Sequence, residues 1–128
     1  MKKIINASQA PDPVGPYNQS VQVGDILYMS GQIAIDQATG ALVQDSIEAE
    51  THQVMKNIGY VLAAAGATYE SVIKCSVFVA DMAMYSRINT VYAGYFDEQT
   101  APARELVEVA NLPKYVNVEI SCMAYVGK

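Results

Sequence analysis

One arginine stands where a guanidinium could bind an anionic ligand. The chain has two arginines, and Arg104 follows a proline-containing loop, residues 100–103, just before a predicted strand. Binding sites tend to form where loops meet a rigid sheet, and a guanidinium offers a planar fork of donors that matches a carboxylate. The alternative is a surface arginine paired with Glu105 or Glu108. Composition and spacing alone favour that alternative.

A glutamate in the last predicted strand could move a proton. Glu119 lies in an alternating run, residues 116–123, and shares one face of the strand with Asn117, Ser121 and Met123. If that face is partly buried, the pKa of the Glu119 carboxyl rises towards the range useful for proton transfer through a water. The alternative is a solvated strand face, which the pattern alone slightly favours.

Three further positions suit a ligand-binding cleft, although each is a weak indication alone. Tyr17 follows Gly15-Pro16, where an extended backbone is expected. Ser30-Gly31 ends a strand, and a glycine there lets a ligand approach backbone N–H or C=O groups closely. Asn89 lies near the start of the second predicted helix.

Other kinds of site are disfavoured by the residues that the chain lacks. His52 is the only histidine, so a multi-histidine metal site is excluded and no catalytic triad is indicated. Cys75 and Cys122 lack metal-ligand spacing, and the glycines form no phosphate-binding pattern. Carboxylates, arginine, hydroxyls and backbone amides remain as the groups that could act on a substrate.

The composition is that of one globular domain spanning residues 1–128. The chain is 52% hydrophobic and 16% charged, with a net charge of −5. An acidic chain without a basic cluster is not typical of a nucleic-acid-binding protein. We find no signal-peptide pattern and no apolar run long enough to span a bilayer, so a cytoplasmic protein without membrane contact is expected.

The hydrophobic pattern predicts an α+β fold. Asp45 and Glu48 form a capping-box-like pair before the clearest helical stripe, and Gly24-Asp25 marks a hairpin turn. The predicted order is β-β-β-α-β-α-β-β, one mixed sheet with two helices on one face. Its strands are 20–23, 26–30, 33–35, 72–80, 106–110 and 116–126, and its helices are 45–65 and 86–96.

Two helices cannot cover both faces of this sheet. The strand at residues 72–80 is apolar on both of its faces, which is typical of a strand buried on both sides. Because large exposed apolar patches are rare in monomers, we expect another subunit to cover the second face.

Several motifs together resemble the Rid (YjgF) family, and within it the reactive intermediate deaminase A type. The resemblance runs nearly end to end, and its most specific strings occur together at the family's spacing. They include Gly15-Pro16-Tyr17, Ser30-Gly31-Gln32-Ile33, Asn89-Thr90-Val91-Tyr92, Pro102-Ala103-Arg104, Val107-Glu108-Val109-Ala110, Leu112-Pro113-Lys114 and Val118-Glu119-Ile120.

The resemblance implies a chorismate-mutase-like fold and a homotrimer with three sites in the clefts between subunits. It implies hydrolysis of reactive 2-imino acids, such as 2-iminobutanoate and 2-iminopropanoate, which arise from enamines released by pyridoxal-phosphate-dependent dehydratases. The products would be 2-oxo acids and ammonia, and no cofactor or metal would be needed.

The resemblance also implies the roles of individual residues. Arg104 would hold the substrate carboxylate, Glu119 would position and activate water, and the Gly31 backbone would contact the imine nitrogen side. Tyr17, Ser30 and Asn89 would line the cleft, some of them from a neighbouring subunit, and the Leu106 backbone N–H would assist carboxylate binding.

The chain departs from the family pattern beside Arg104. Glu105-Leu106 stands where Ser-Cys or Ser-Thr is usual, although strand alternation points the Glu105 side chain away from Arg104. This departure motivates a second hypothesis, a non-catalytic module that binds small carboxylates or a protein partner. A ribonuclease, a third hypothesis, is disfavoured by the acidic charge and the single histidine.

Overall fold

Six strands form the main sheet in the computed structural model, which describes residues 1–127. They are β1 (Lys3–Ile5), β2 (Ser20–Val23), β3 (Ile26–Gln32), β6 (Val72–Val79), β7 (Ala103–Glu108) and β8 (Val118–Tyr125). The sheet order is β1-β2-β3-β8-β6-β7, with β6 and β7 parallel and the other neighbours antiparallel. A separate hairpin pairs β4 (Ile35–Asp36) with β5 (Ala41–Leu42).

Two helices, α1 (Ile47–Ala64) and α2 (Tyr85–Ala93), pack on one face of this sheet around a single core. The helical stripe of α1 buries Val54, Met55, Ile58 and Leu62 completely or almost so. Alternate residues of β6 and β8 fill the core from the sheet side. The α+β prediction, a mixed sheet with two helices, is confirmed. No helix in the described residues is both long and apolar enough to cross a bilayer.

The predicted third strand, residues 33–35, is wrong. Its place in the main sheet is taken by β1, which the sequence analysis did not assign, and Ile35 pairs instead within the small hairpin. The cause lies in α1, where the Asn57 side-chain amide donates to the carbonyls of Ile33 and Ile35 at 3.0 and 2.9 Å. These two bonds hold the segment against α1 rather than in the main sheet.

The predicted capping of α1 is also wrong. Ser46, not Asp45, is the N-cap, because its hydroxyl accepts a hydrogen bond from the backbone N–H of Ala49 at 3.0 Å. Glu48 forms no capping box but pairs with Arg87 of α2 at 2.7 Å. This exposed ion pair links the two helices.

The predicted strand at residues 106–110 begins three residues too late. β7 starts at Ala103, directly after Pro102, which has no N–H to donate to a ladder. Arg104 therefore lies inside the strand and is paired with Cys75 of β6. Helix α2 likewise ends at Ala93 rather than at residue 96.

The face of the sheet opposite the helices is open in the single chain. Its exposed side chains include Tyr28, Val107 and Tyr125, with relative exposures of 48%, 42% and 49%, and Phe78 and Met123 are half-buried there. This surface, here called the open face, is large and partly apolar. Its coverage by another subunit stays a prediction.

Candidate active site

Arg104 is held against an aromatic ring by α2. Its guanidinium carbon lies 5.0 Å from the ring centroid of Tyr92 and 5.9 Å from that of Tyr85. Nη1 donates to Oδ1 of Asn89 at 2.7 Å, and Nη2 donates to the Tyr85 hydroxyl at 3.3 Å. Because all these partners are neutral, they orient the guanidinium without neutralising its charge.

Neither glutamate near Arg104 in sequence pairs with it. Glu105 binds the Lys74 ammonium at 2.9 Å and accepts from the Ser76 hydroxyl, and these two bonds lower the pKa of its carboxyl. Glu108 accepts a hydrogen bond from the backbone N–H of Met82 at 2.7 Å. The interpretation of Arg104 as an ion-paired surface residue is therefore wrong for the described residues.

A cavity of about 450 Å³, here called the Arg104 cavity, opens beside the guanidinium. Its walls are mainly apolar and aromatic, and its lining includes Asn89, Tyr92, Phe96, Pro102 and Arg104, together with the carboxylate of Glu98. An apolar cavity with one oriented cation suits a small carboxylate that carries an apolar side chain.

Glu119 lies over Gly31 on the open face. A Cβ atom at position 31 would overlap the Glu119 carboxylate, so the glycine gives that side chain its place. Glu119 is half-buried, and this burial raises the pKa of its carboxyl. The expected partly buried carboxylate is therefore present.

A second cavity, here called the Glu119 cavity, has a volume of about 180 Å³. Tyr17, Gly31, Lys114 and Glu119 line it, with Asp12 and several apolar residues. Lys114 was not among the predicted site residues. The Lys114 backbone has a positive φ of 55°, which few residues other than glycine adopt. No pattern of residue types in the sequence predicted this conformation.

The remaining predicted site residues line the Arg104 cavity, the Glu119 cavity or neither. Asn89 lines the Arg104 cavity, and Tyr17 lines the Glu119 cavity. The Ser30 hydroxyl donates to the carbonyl of Asn18 at 2.6 Å, and Ser30 lines neither cavity. The Leu106 side chain packs against the core, and Leu106 lines neither cavity. Tyr92, whose ring lies next to the Arg104 guanidinium, was not among the predicted site residues.

Arg104 and Glu119 point to opposite faces of the sheet. Arg104 is paired with Cys75 of β6, whose side chain is buried in the core, and Glu119 is paired with Phe78. Side chains alternate along a strand, so residues 75 and 78, which are three apart in β6, point to opposite faces of the sheet. Their partners Arg104 and Glu119 therefore do the same. Within a single chain, the two side chains therefore do not face each other across one cleft.

The histidine and the cysteines take no part in either cavity. His52 is exposed, as expected, and its Nδ1 lies 2.8 Å from the Tyr95 hydroxyl. Both cysteines are buried, and burial raises the pKa of each thiol. Within residues 1–127, no group of three or more His, Cys, Asp or Glu side chains is placed to hold a metal ion.

Gly31→Ala tests the contact between Gly31 and Glu119. The added methyl group must displace the Glu119 carboxylate, so we expect the hydrolysis that the resemblance implies to fall by about tenfold to a hundredfold. The measurement is kcat for a 2-imino acid together with the melting temperature. Gly24→Ala, in a turn remote from both cavities, controls for a general loss of stability.

Glu105→Ser tests whether the unusual acidic residue disturbs the Arg104 cavity. Glu105 lies on the open face with Lys74 and Ser76, so we expect KM to change by no more than about twofold. Steady-state kinetics of both proteins provide the measurement. A tenfold decrease in KM would show that the Glu105 carboxylate competes with the substrate at Arg104.

Comparison with known proteins places the chain in a family. A family model described as "Endoribonuclease L-PSP" matches residues 7–126. A crystal structure of a conserved Rid family protein from Yersinia pestis superposes with a TM-score of 0.95 at 44% identity, over 98% of this chain and 100% of that one. The chain belongs to the Rid family.

Two curated Rid relatives differ in what their names state. A RutC family protein of Synechocystis is 49% identical over 123 residues, which are 95% of each chain. A mouse protein named 2-iminobutanoate/2-iminopropanoate deaminase is 39% identical over 127 residues, 99% of this chain and 93% of the mouse protein. The Rid family thus includes named deaminases, which are enzymes of the hydrolase type.

Proposed function

We propose that this Rid protein hydrolyses small 2-imino acids, such as 2-iminobutanoate and 2-iminopropanoate, to 2-oxo acids and ammonia. The observation that carries the proposal is the guanidinium of Arg104, which has no acidic partner among residues 1–127 and lies in the wall of an apolar cavity. The half-buried Glu119 carboxyl with a raised pKa supplies the acid–base group. The name of the mouse relative supports the same chemistry.

The active site is proposed to lie between two copies of the chain. Because Arg104 and Glu119 point to opposite faces of the sheet, the Arg104 cavity of one copy would face the Glu119 cavity of the next. A closed ring of three copies repeats this contact three times and gives three sites. The homotrimer would also cover the open face.

The reaction needs only these groups. Arg104 would hold the substrate carboxylate as a bidentate ion pair, with Asn89 fixing the guanidinium. Glu119 would take a proton from a water as the water oxygen bonds to the iminium carbon, which gives a carbinolamine. That proton would then pass to the nitrogen. As the carbon–nitrogen bond breaks and the carbonyl forms, Glu119 would take the hydroxyl proton and pass it to the departing ammonia.

Modest rate gains are sufficient for such a substrate, because imines already hydrolyse in water. Fixing the carboxylate and orienting one water beside a carboxyl group account for the catalysis, through proximity and general acid–base chemistry. No cofactor or metal takes part in the proposed steps.

The test is a coupled assay. A pyridoxal-phosphate-dependent dehydratase acting on threonine generates 2-iminobutanoate, and the release of ammonia or 2-oxobutanoate is followed with and without this protein. We expect acceleration by the wild type and little by Arg104→Ala. Equal rates for the two proteins contradict the proposal.

A non-catalytic module is the competing function, motivated by the unusual pair beside Arg104. Calorimetry with 2-oxobutanoate distinguishes it from the enzyme. Binding that depends on Arg104, with no acceleration in the coupled assay, favours the module.

A further inference from the structure

Fully buried polar side chains of α1 reach the segments that form the Glu119 cavity. Asn57, which is 0% exposed, holds the carbonyls of Ile33 and Ile35 just beyond Gly31. Glu50, which is 1% exposed, holds Asn117 just before Glu119. A buried carboxylate is costly unless it is hydrogen-bonded, so the contact of Glu50 needs a reason.

Both carboxylate oxygens of Glu50 accept hydrogen bonds from Asn117. Oε2 accepts from the backbone N–H of Asn117 and Oε1 accepts from its side-chain amide, each at 2.8 Å. The carbonyl of Asn117 accepts from the backbone N–H of Ala80 at 2.9 Å, at the end of β6. Asn117 is therefore fixed on three sides.

The fixed residue lies between two parts of the Glu119 cavity. Upstream, Lys114 and Tyr115 both have left-handed backbones, with φ of 55° and 54°. Such a turn persists in residues other than glycine only where its surroundings hold it. Downstream, β8 begins at Val118, and Glu119 is its second residue.

We propose that Glu50 is a positioning residue: through Asn117 it fixes both the turn that carries Lys114 and the start of the strand that carries Glu119. It touches no substrate. It determines the positions of Lys114 and Glu119, which both line the Glu119 cavity. The kinetic part of this inference rests on the proposed function, and the structural part does not.

An exchange of donor and acceptor tests the contact. Asn117→Asp replaces the amide donor with a second carboxyl group, and at alkaline pH, where both groups are ionised, the two repel each other; the variants are therefore compared there. In the double variant E50Q/N117D, the new amide at position 50 donates to the new carboxylate and its oxygen still accepts from the backbone N–H. Glu50→Gln alone should be mild, because the Asn117 amide can rotate to present its oxygen.

The kinetic result expected is a loss in kcat with KM preserved. Asn117→Asp should lower kcat by about tenfold to a hundredfold, because Glu119 is displaced. KM should stay within about twofold of the wild-type value, because Arg104 lies elsewhere. The double variant should recover to within about threefold of wild type. If Asn117→Asp does not fold, Asn117→Ser, which removes one of the two bonds, should show the same split with a smaller loss.

A measurement without substrate separates this inference from the proposed function. Amide hydrogen exchange at Tyr115 and Val116, whose N–H groups bond to the carbonyls of Leu112 and Pro113, reports on the turn directly. Exchange should be about tenfold faster in Asn117→Asp and normal in the double variant. If the wild type shows no turnover, the proposed function fails and this measurement still decides the role of Glu50.

Thr51→Val is the matched control. Thr51 is also 0% exposed and follows Glu50 on α1, but its hydroxyl donates to Ile47 within the helix. It should change neither the exchange at residues 115 and 116 nor the balance of kcat and KM. Unchanged exchange in Asn117→Asp, or no recovery of kcat in the double variant, overturns the proposal.

Discussion

Arg104→Ala is expected to lower kcat/KM for a 2-imino acid by about a hundredfold, mainly by raising KM. Among the described residues that line its cavity, Arg104 is the one cation, and a bidentate bond to a carboxylate contributes about 3 kcal/mol when it is shielded from water. The measurement is the coupled assay over a range of substrate concentrations.

Two further variants show whether the effect comes from the guanidinium itself. Arg104→Lys keeps the charge but loses the planar fork, so an intermediate loss of about tenfold is expected. Arg87→Ala removes the other arginine, which is exposed and paired with Glu48, and should leave kcat/KM within about twofold. Equal losses in Arg104→Ala and Arg87→Ala would contradict the assigned role.

Glu119→Gln is expected to lower kcat by about a hundredfold to a thousandfold with little change in KM, because the amide cannot accept the proton of water. In the wild type, kcat/KM should fall as the pH drops through the pKa of Glu119. Burial raises that pKa, so the fall should lie above the ordinary glutamate value of about 4.3. In Glu119→Gln, this fall of kcat/KM at low pH should be absent.

Glu119→Gln, which is expected to lower kcat, should not lower the free energy of unfolding at neutral pH. A carboxyl whose pKa is raised on folding favours the folded state when protonated and disfavours it when ionised. Glu119→Gln should therefore be at least as stable as the wild type at pH 7, and the difference should shrink below about pH 4. Thermal unfolding at several pH values measures this, with Asp12→Asn, in the same cavity, as the control.

The elements with one strong local pattern were predictable from the sequence. The stripe of α1 and the alternation of β8 each report directly on burial, and both match the structure. Alternation also gave the direction of Glu105, because neighbouring residues of a strand face opposite sides. The short segments, such as β1 and residues 33–35, depend on a partner strand or on Asn57 and were not predictable.

The surroundings of Arg104 and Glu119 could not be predicted from the sequence, for a related reason. Packing of α2 brings Tyr92 next to Arg104, and strand pairing brings Gly31 next to Glu119. Neither contact can be read from the spacing of these residues in the sequence. The left-handed turn at Lys114 carries no glycine to mark it. What the residue types could show was which groups had the right chemistry, and the resemblance to the Rid family singled out Arg104 and Glu119 among them.

Mixed oligomers test most directly whether Arg104 of one copy works with Glu119 of another. Arg104→Ala and Glu119→Gln chains are unfolded together in equal amounts, refolded, and compared in the coupled assay with each variant refolded alone. Random assembly leaves both residues intact in about a quarter of the sites between copies, so about a quarter of the wild-type activity is expected. Activity no greater than the mean of the two separate variants would contradict a site shared between subunits.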